Sequence, residues 1–428
     1  MQTDSPVRRA MRNAVWLLAG KGAGGVFSLI YTALAARSLG VDQFGIFALI
    51  LAYGQTVYNL ARFQSWQTVV RYGAVHLAAA APDRLGRVMN FATALDIGAG
   101  AVGAVLGMAG AMLIGPHVGW SDSQQRLAML FSLSLLFALR GTPTGILRLF
   151  DRFDIAAYAE TVLPMMRLCG ALVAWWVEAP VVGFLIAWSV AELVTTAAIW
   201  WAALRELRRR GQHVPGAAKL RGVRAENPGL WRFAWTTNVN SSLTLVWRQL
   251  PVLVVGWAGT PAAAGGYRIA ANLVNALSKP ASALARAMYP ELARLAVSER
   301  RTVARIVRQV TLATGLIGLA GVGVMTLLGR PALRLIGGED YLFAHPFLVL
   351  LAIAAAIDLC GVAVEPAMTA LGHPGRVLMV RVIAGLGFIT VLAGLALALG
   401  PIGAAWAAVV GAIFLLAMLF AQYRRILR

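Results

Sequence analysis

The feature that most constrains this chain is a series of about twelve apolar blocks, each close to 20 residues long and separated by short polar stretches. A helix of about 20 apolar residues spans the hydrocarbon core of a bilayer, and it satisfies its own backbone polar groups, as lipid requires. Composition agrees, because 59% of the 428 residues are hydrophobic and 13% are charged, whereas soluble domains carry about 25% charged residues. The sequence therefore predicts an all-α polytopic membrane protein.

Hydropathy and length place twelve predicted spans, with boundaries good to about four residues. They cover residues 13–36, 44–70, 88–114, 127–147, 156–177, 181–204, 233–257, 264–288, 309–329, 346–371, 377–399 and 402–423. The basic stretch 205–232 divides them six and six. This division predicts an N-terminal lobe (1–204), a cytoplasmic linker (205–232) and a C-terminal lobe (233–428), and we expect the linker to be a solvated hinge beside anionic lipid.

Positive residues are distributed unevenly among the predicted loops. The two ends and the even-numbered loops contain 25 of them, against four in the odd-numbered loops, Arg37, Arg126, Arg330 and Arg334. Because Lys and Arg accumulate on the cytoplasmic side, both termini are predicted to be cytoplasmic. Topology thus accounts for the net charge of +20, and we expect no nucleic-acid partner.

Gly20, Gly22 and Gly25 spell the G-x-G-x-x-G pattern of dinucleotide-binding loops, with Asp42 downstream. That motif needs a preceding strand and a soluble βαβ unit. Here the glycines lie inside an apolar span, and we interpret them as small residues that allow close helix packing. The two cysteines and five histidines have no metal-ligand spacing, so we expect no metal and no cofactor.

Cations inside the predicted spans outnumber the acids that could neutralise them. An unpaired charge at mid-bilayer costs about 2.5–3.5 kcal/mol on insertion scales. We expect Glu160 to pair with Arg167, Asp358 and Glu365 to face Arg381, and cations near span ends to reach the interface. The nine cations are Lys21, Arg62, Arg140, Arg167, Arg248, Arg268, Lys279, Arg286 and Arg381, and the five acids are Asp96, Glu160, Glu192, Asp358 and Glu365. Full pairing would still leave four positive charges.

Polar residues recur at intervals of three and four along two predicted spans, which places them on one helix face. Span eight carries Arg268, Asn272, Asn275 and Lys279, and span two carries Gln55, Asn59, Arg62 and Trp66. A polar stripe through the membrane faces a water-filled cavity or a partner helix. With Lys21 and Arg248 on spans one and seven, the stripes predict a cationic chamber for an anion such as a phosphate; the alternative is that each arginine is held in an interhelical ion pair or by backbone carbonyls.

Three stretches resemble the Wzx-type polysaccharide flippases of the oligosaccharide, lipid and multidrug exporter (MOP, MATE-like) superfamily. They are NAVWLLAGKGAGGVFSLIYTALAARSLGVDQFGIFAL (13–49), GILRLFDRFD (145–154) and GGYRIAANLVNALSKPASALARAMYPELARL (265–295). The resemblance implies two six-helix lobes and alternating-access transfer of a polyprenyl-pyrophosphate-linked oligosaccharide across the bacterial inner membrane. It also implies that cations on spans one, two, seven and eight line the central cavity.

The sequence thus predicts a flippase, not an enzyme, that works as a monomer with a lipid-linked glycan, anionic membrane lipids, and a glycan polymerase or glycosyltransferases as partners. The alternatives are a multidrug or other MATE-like exporter, whose cavity should be acidic, and a membrane glycan polymerase or ligase, which generally needs sizeable periplasmic loops. The candidate substrate-binding residues are Arg268, Lys279, Arg62, Lys21, Arg248, Asn272, Asn275 and Asn59, and the candidate ion-coupling residues are Asp358, Glu365 and Glu192.

Overall fold

The computed structural model describes residues 6–212, 220–276 and 300–427, and their side chains except in 6–23, 156–160, 239–248, 300–303 and 374. This described part contains helices and no strand, which confirms the predicted all-α class. Eight helical stretches within it are long and apolar enough to cross a membrane, and Thr161–Trp176 and Gln249–Ala258 are shorter apolar helices.

The helices follow one another with short connections. In chain order they are α1 (Pro6–Ala61), α2 (Ser65–Ala78), α3 (Pro82–Ile114), α4 (Asp122–Leu133), α5 (Gly141–Leu149), α6 (Phe153–Trp176), α7 (Val181–Arg209), α8 (Val223–Glu226), α9 (Leu230–Ala258), α10 (described over 261–276), α11 (Arg300–Gly337), α12 (His345–Gly361), α13 (Val364–Ala370), α14 (Pro374–Leu399) and α15 (Pro401–Leu427). Helix α1 contains two predicted spans joined at Gly40, whose φ of 70° and ψ of 178° interrupt the helix in a conformation that essentially only glycine adopts.

The chain divides into two compact units, the first formed by residues 1–35 and 50–246 and the second by 36–49 and 247–428. These units differ from the predicted lobes because 36–49 belongs to the second unit and 205–246 to the first. The division into lobes at residues 204 and 233 therefore stays a prediction.

The first unit is centred on a buried apolar cluster that joins α2, α3, α5 and α7 through residues such as Val69, Met89, Ile146 and Leu207. The stretch GILRLFDRFD begins within this cluster, and the charged residues at its end form ion pairs. Arg152 pairs with Glu206 at 2.8 Å and with Asp154 at 3.1 Å. The charges of this stretch thus connect the start of α6 to the end of α7.

The second unit packs α11 against α12 and α14 against α15 around a cluster that includes Val307, Val364 and Tyr423. Residues 36–49 belong to this unit. The Tyr341 hydroxyl donates to the carbonyl of Gly40 at 3.3 Å, and the Tyr341 ring meets the Phe44 ring edge-on at 6.0 Å. Tyr341 is almost fully buried, so it fixes the bend at Gly40.

Parts of the predicted linker 205–232 are packed against other residues of the described structure, and its role as a hinge stays a prediction. Helix α7 continues to Arg209, and residues from Val223 onward dock on the first unit. Buried Asn227 bonds the His76 ring at 2.9 Å, and Arg87 makes two bonds to the Glu226 carboxylate, at 2.8 and 2.6 Å. High loop charge predicted solvation, but these partners supply specific contacts for the charged and amide groups.

Candidate substrate-binding site

Two predicted spans are broken at corresponding places in the first unit. Helix α1 ends at Ala61 and α2 begins at Ser65, so residues 62–64 are not helical; α4 ends at Leu133, and a 3-10 turn and residues 138–140 precede α5. We call segments 62–64 and 134–140 the paired breaks. Non-helical backbone at membrane depth is tolerated where it is buried in protein or lines a cavity. The predicted continuous stripe from Gln55 to Trp66 is therefore wrong, because its helix stops before Arg62.

Hydrogen bonds from aromatic side chains satisfy the exposed backbone of the second break. The Tyr58 hydroxyl donates to the Ala138 carbonyl at 3.3 Å. The Trp200 indole N–H donates to the Leu139 carbonyl at 2.9 Å. These bonds replace the helical partners that the break removes.

Asp96 of α3 lies between the starts of α2 and α5, and its residue is only 6% exposed. Its Oδ1 accepts from the Ser65 hydroxyl, the first residue of α2. Its Oδ2 accepts from the Thr142 backbone N–H at 2.7 Å and the Thr142 hydroxyl at 2.8 Å. A carboxylate is favoured at helix N-termini, where unpaired N–H groups and the helix dipole attract negative charge. The Asp96 carboxylate therefore caps the start of α5 and is hydrogen-bonded to the side chain of the first residue of α2.

Arg62, a predicted substrate-binding residue, lies in the first break. It lines a cavity together with Tyr58, Asp96, Gly100, Leu135 and Ala138. Its guanidinium lies over the Tyr58 ring, 5.4 Å from the ring centroid, and it makes no ion pair within the described part of the chain. An arginine placed in this way can offer its planar donors to an anion.

Three further arginines within the predicted spans are neutralised by carboxylates. Glu192 of α7 forms ion pairs with both Arg140 and Arg167, each at 2.8 Å, and Arg381 pairs with Glu365. The sequence analysis expected cations near span ends to extend to the membrane interface. Arg140 and Arg381 instead form ion pairs with carboxylates. Arg167 takes Glu192 as its partner, while the side chain of Glu160 lies outside the described set. One acid thus contacts two cations, so fewer arginines lack a carboxylate partner than one-to-one pairing would leave, while the net surplus of four positive charges is unchanged.

The remaining predicted site residues fall into two groups. In α10, Arg268 and Asn272 are half-buried and interact with other residues, and Asn275 is exposed; Asn59 of α1 is half-buried and also has a partner. Lys279 lies outside the described residues, and the structure gives the backbone of Lys21 and Arg248 but not their side chains.

Asp358 was expected to face Arg381 together with Glu365, and this expectation is wrong for Asp358. It is exposed on α12 and makes no hydrogen bond or ion pair that the structure describes, whereas Glu365 accepts bonds from Arg381 Nε at 3.0 Å and from Arg381 Nη2. Of the three predicted ion-coupling acids, Glu192 and Glu365 are held by arginines.

Sequence reasoning missed Ser65 and Thr142 and gave Asp96 no role beyond charge balance. Pro143 was the available signal, because proline is tolerated in the first turn of a helix and disrupts its interior. A proline inside the predicted span 127–147 therefore indicates the helix start that the structure has at Gly141. The break at 62–64 contains neither proline nor glycine and offers no comparable signal.

These features define a class: an all-α, multi-pass membrane protein with discontinuous spans and charged groups in its interior, as in membrane transporters. Comparison of the fold agrees. The lipid II flippase MurJ in its inward closed conformation superposes with a TM-score of 0.73 and 13% identity over 96% of this chain and 87% of that one. An inward-facing multidrug resistance MATE family transporter of the MOP superfamily gives a TM-score of 0.70 and 14% identity over 94% of both chains.

Sequence comparison identifies the family. A family model described as polysaccharide biosynthesis protein matches residues 10–296. The inner membrane protein YghQ of Escherichia coli (strain K12) is 33% identical over 342 residues, which is 80% of this chain and 96% of that protein. The chain belongs to the polysaccharide biosynthesis protein family, with the fold of the MOP superfamily, as the resemblance of its three stretches predicted.

Proposed function

We propose that this protein is a flippase that carries a polyprenyl-pyrophosphate-linked oligosaccharide from the cytoplasmic to the periplasmic leaflet of the bacterial inner membrane. Membership in the polysaccharide biosynthesis family supports a glycan precursor as substrate, and the structural likeness to a lipid II flippase supports a lipid-linked one. Transport proceeds by alternating access between the lobes 1–204 and 233–428, with linker 205–232 and both termini in the cytoplasm. The protein moves its substrate without breaking a covalent bond in it.

The observation that carries the proposal is the state of Arg62. It is a half-buried arginine that lines a small cavity of about 10 Å³ together with Asp96, with an aromatic neighbour and no carboxylate ion pair within the described residues, so the cavity must widen during transport to admit a pyrophosphate. Burying a cation in a membrane protein costs free energy, so an arginine in this position is a candidate functional residue. An arginine presents a fork of donors that matches phosphate oxygens, so a pyrophosphate is a suitable ligand.

We propose that other basic and amide residues complete the path for the headgroup. Lys21, Arg248, Arg268 and Lys279 supply positive charge on spans one, seven and eight, and Asn59, Asn272 and Asn275 supply hydrogen bonds to pyrophosphate and sugar hydroxyls. Weak, distributed contacts suit a transporter, because the ligand must also be released. The polyprenyl tail stays in the lipid, and anionic lipids contact the basic cytoplasmic loops.

Ion coupling, if the energy comes from an ion gradient, is proposed for Asp358. Glu192 and Glu365 are each engaged in ion pairs with arginines of the described structure. Asp358 is exposed on α12 without such a partner in the described structure.

We propose a monomer that receives its substrate from glycosyltransferases and passes the translocated glycan to a glycan polymerase.

The fold also suits a multidrug exporter, since a MATE transporter is among the similar structures. Such a protein binds organic cations and should present acidic groups to its ligand. The cavity beside Arg62 also contains Asp96, but that carboxylate is engaged by Ser65 and Thr142, whereas Arg62 makes no ion pair in the described residues, which favours an anion instead.

Complementation of a flippase-null bacterial strain tests the proposal. The chain should restore surface glycan, and Arg62→Ala, Arg268→Ala and Lys279→Ala should each lower it at least about tenfold, which corresponds to about 1.4 kcal/mol of lost binding or transition-state energy. Arg126→Ala, on an exposed arginine of α4, is the matched control and should behave like the parent chain. Normal surface glycan in all three variants at equal expression would contradict the assigned binding role.

A further inference from the structure

We infer that Asp96 is a positioning residue for Arg62: it pins the starts of α2 and α5 and thereby holds Arg62 in the cavity beside the paired breaks. The inference rests on the proposed function only in assigning pyrophosphate binding to Arg62. Asp96 itself is not assigned a contact with the substrate.

The first step is that the Asp96 side chain is engaged mainly in holding two helix starts, since three of its roughly four acceptor sites are filled by Ser65 and Thr142. Both carboxylate oxygens accept hydrogen bonds, from Ser65 and from two donors of Thr142. Bonds to an ionised carboxylate are roughly twice as strong as neutral ones, and burial makes each of them costly to lose. Asp96 therefore anchors α2 and α5 to α3 at a single point.

The second step is that the two helix starts lie in direct contact at this point. A Cβ atom added at Gly141 would overlap the Ser65 hydroxyl and lie 2.7 Å from Asp96 Oδ1. Only glycine fits at position 141, so the starts of α2 and α5, which follow the two breaks, are packed directly against each other. The start of α5 therefore lies directly against Ser65, the first residue of α2.

The third step connects this anchor to Arg62. The Arg62 backbone N–H donates to the Tyr58 carbonyl at 2.9 Å, which fixes it to the last turn of α1, and Ser65, three residues later, is fixed by Asp96. The Tyr58 ring under the guanidinium is itself bonded to Ala138 of the second break. Arg62 is thus held on one side by Tyr58, which bonds to the second break at Ala138, and on the other side by Ser65, which bonds to Asp96.

The direction in which anion affinity changes when Asp96 is removed distinguishes a positioning role from a purely electrostatic one. Asp96 is a negative charge near Arg62, so removing it should strengthen binding of an anion if charge alone mattered. If Asp96 positions Arg62, its removal weakens anion binding. Asparagine separates the two, because its amide oxygen can accept from Thr142 and its NH₂ group can donate to the Ser65 hydroxyl.

The experiment measures binding of inorganic pyrophosphate to the purified full chain in nanodiscs. Asp96→Ala should weaken binding at least about tenfold, and Asp96→Asn should bind as tightly as the parent chain or more tightly. Tyr53→Phe is the matched control, since it removes a different hydrogen bond to α3, from the Tyr53 hydroxyl of α1 to the Gly107 carbonyl, away from the paired breaks; its affinity should be unchanged. Unchanged or tighter binding by Asp96→Ala overturns the inference.

Two further variants cover the remaining outcomes. If Asp96→Ala does not fold, the double variant Ser65→Ala, Thr142→Val keeps the carboxylate and removes two of its three bonds; binding should weaken about three- to tenfold, and parental affinity overturns the inference. Arg62→Ala separates the two proposals. Parental affinity in Arg62→Ala contradicts the proposed function and this inference together, whereas lost affinity in Arg62→Ala with full affinity in Asp96→Ala contradicts this inference alone.

Discussion

At the scale of single residues, the interior charges of this protein divide by the partner each one has. Arg140 and Arg167 share Glu192, and Arg167 also lies over the Trp188 ring at 3.9 Å. Asp96 is satisfied by neutral donors, and Arg62 is left to an aromatic face. Counting charges in the sequence gave a surplus, but it could not say which arginines account for it, since partners on different spans meet only in the fold.

Outside the membrane, the Glu226 carboxylate is the residue whose ionisation stabilises the docked linker. Hydrogen bonds from Arg87 hold the pKa of Glu226 below its usual range. Since the folded pKa is lowered, this contribution to stability is present above the unfolded pKa of about 4.3 and is lost as pH falls through the lower folded value. We expect Glu226→Gln to cost about 0.5–1 kcal/mol near neutral pH, because both side chains are partly exposed.

Thermal unfolding in detergent at several pH values checks this expectation. The difference in melting temperature between Glu226→Gln and the parent chain should shrink as pH falls below about 4. Glu178→Gln, at an exposed acid, should leave the melting temperature unchanged. A pH-independent difference would show that Glu226 acts through shape and not through charge.

At the scale of elements, the sequence predicted where spans lie better than how they are built. Exposed apolar side chains such as Trp176, Leu316 and Leu327 belong to helices that hydropathy located correctly. The interruption at Gly40 follows from a glycine in the turn LGVDQFG. The break at 62–64 has no such signal, because it depends on Asp96, a residue some 30 positions away that stabilises the start of α2.

The close packing of the paired breaks gives a prediction at this scale. Gly141→Ala forces a methyl group against the Ser65 hydroxyl and Asp96, so it should destabilise the protein by about 1–3 kcal/mol and lower surface glycan in complementation. Gly98→Ala on neighbouring α3, where an added Cβ meets no atom within 4 Å, should be neutral or slightly stabilising. The unfolding temperatures of both variants provide the measurement. Equal stability of the two would contradict the packing of α2 against α5 described above.

At the scale of the whole molecule, family and fold were within reach of the sequence, while the arrangement of the site was only partly so. Apolar blocks and the stretches at 13–49, 145–154 and 265–295 indicated a MOP-superfamily member, and the comparisons agree. The docking of the linker could not be predicted, because it depends on contacts of Asn227 and Glu226 with His76 and Arg87 from another part of the chain. A high content of charged residues predicts that a segment is exposed to solvent. Whether the segment docks on the rest of the protein depends on specific contacts that composition does not indicate.

The central claim is that interior cations carry an anionic lipid-linked glycan across the membrane. Transport of a fluorescent polyprenyl-pyrophosphate oligosaccharide by the full chain in proteoliposomes tests it most directly, with the fraction of lipid reaching the opposite leaflet as the readout. We expect transport by the parent chain and by Arg126→Ala, and a rate at least about tenfold lower for Arg62→Ala. An Arg62→Ala rate equal to that of the parent chain, or a parent chain that moves an organic cation and not this lipid, would contradict the account.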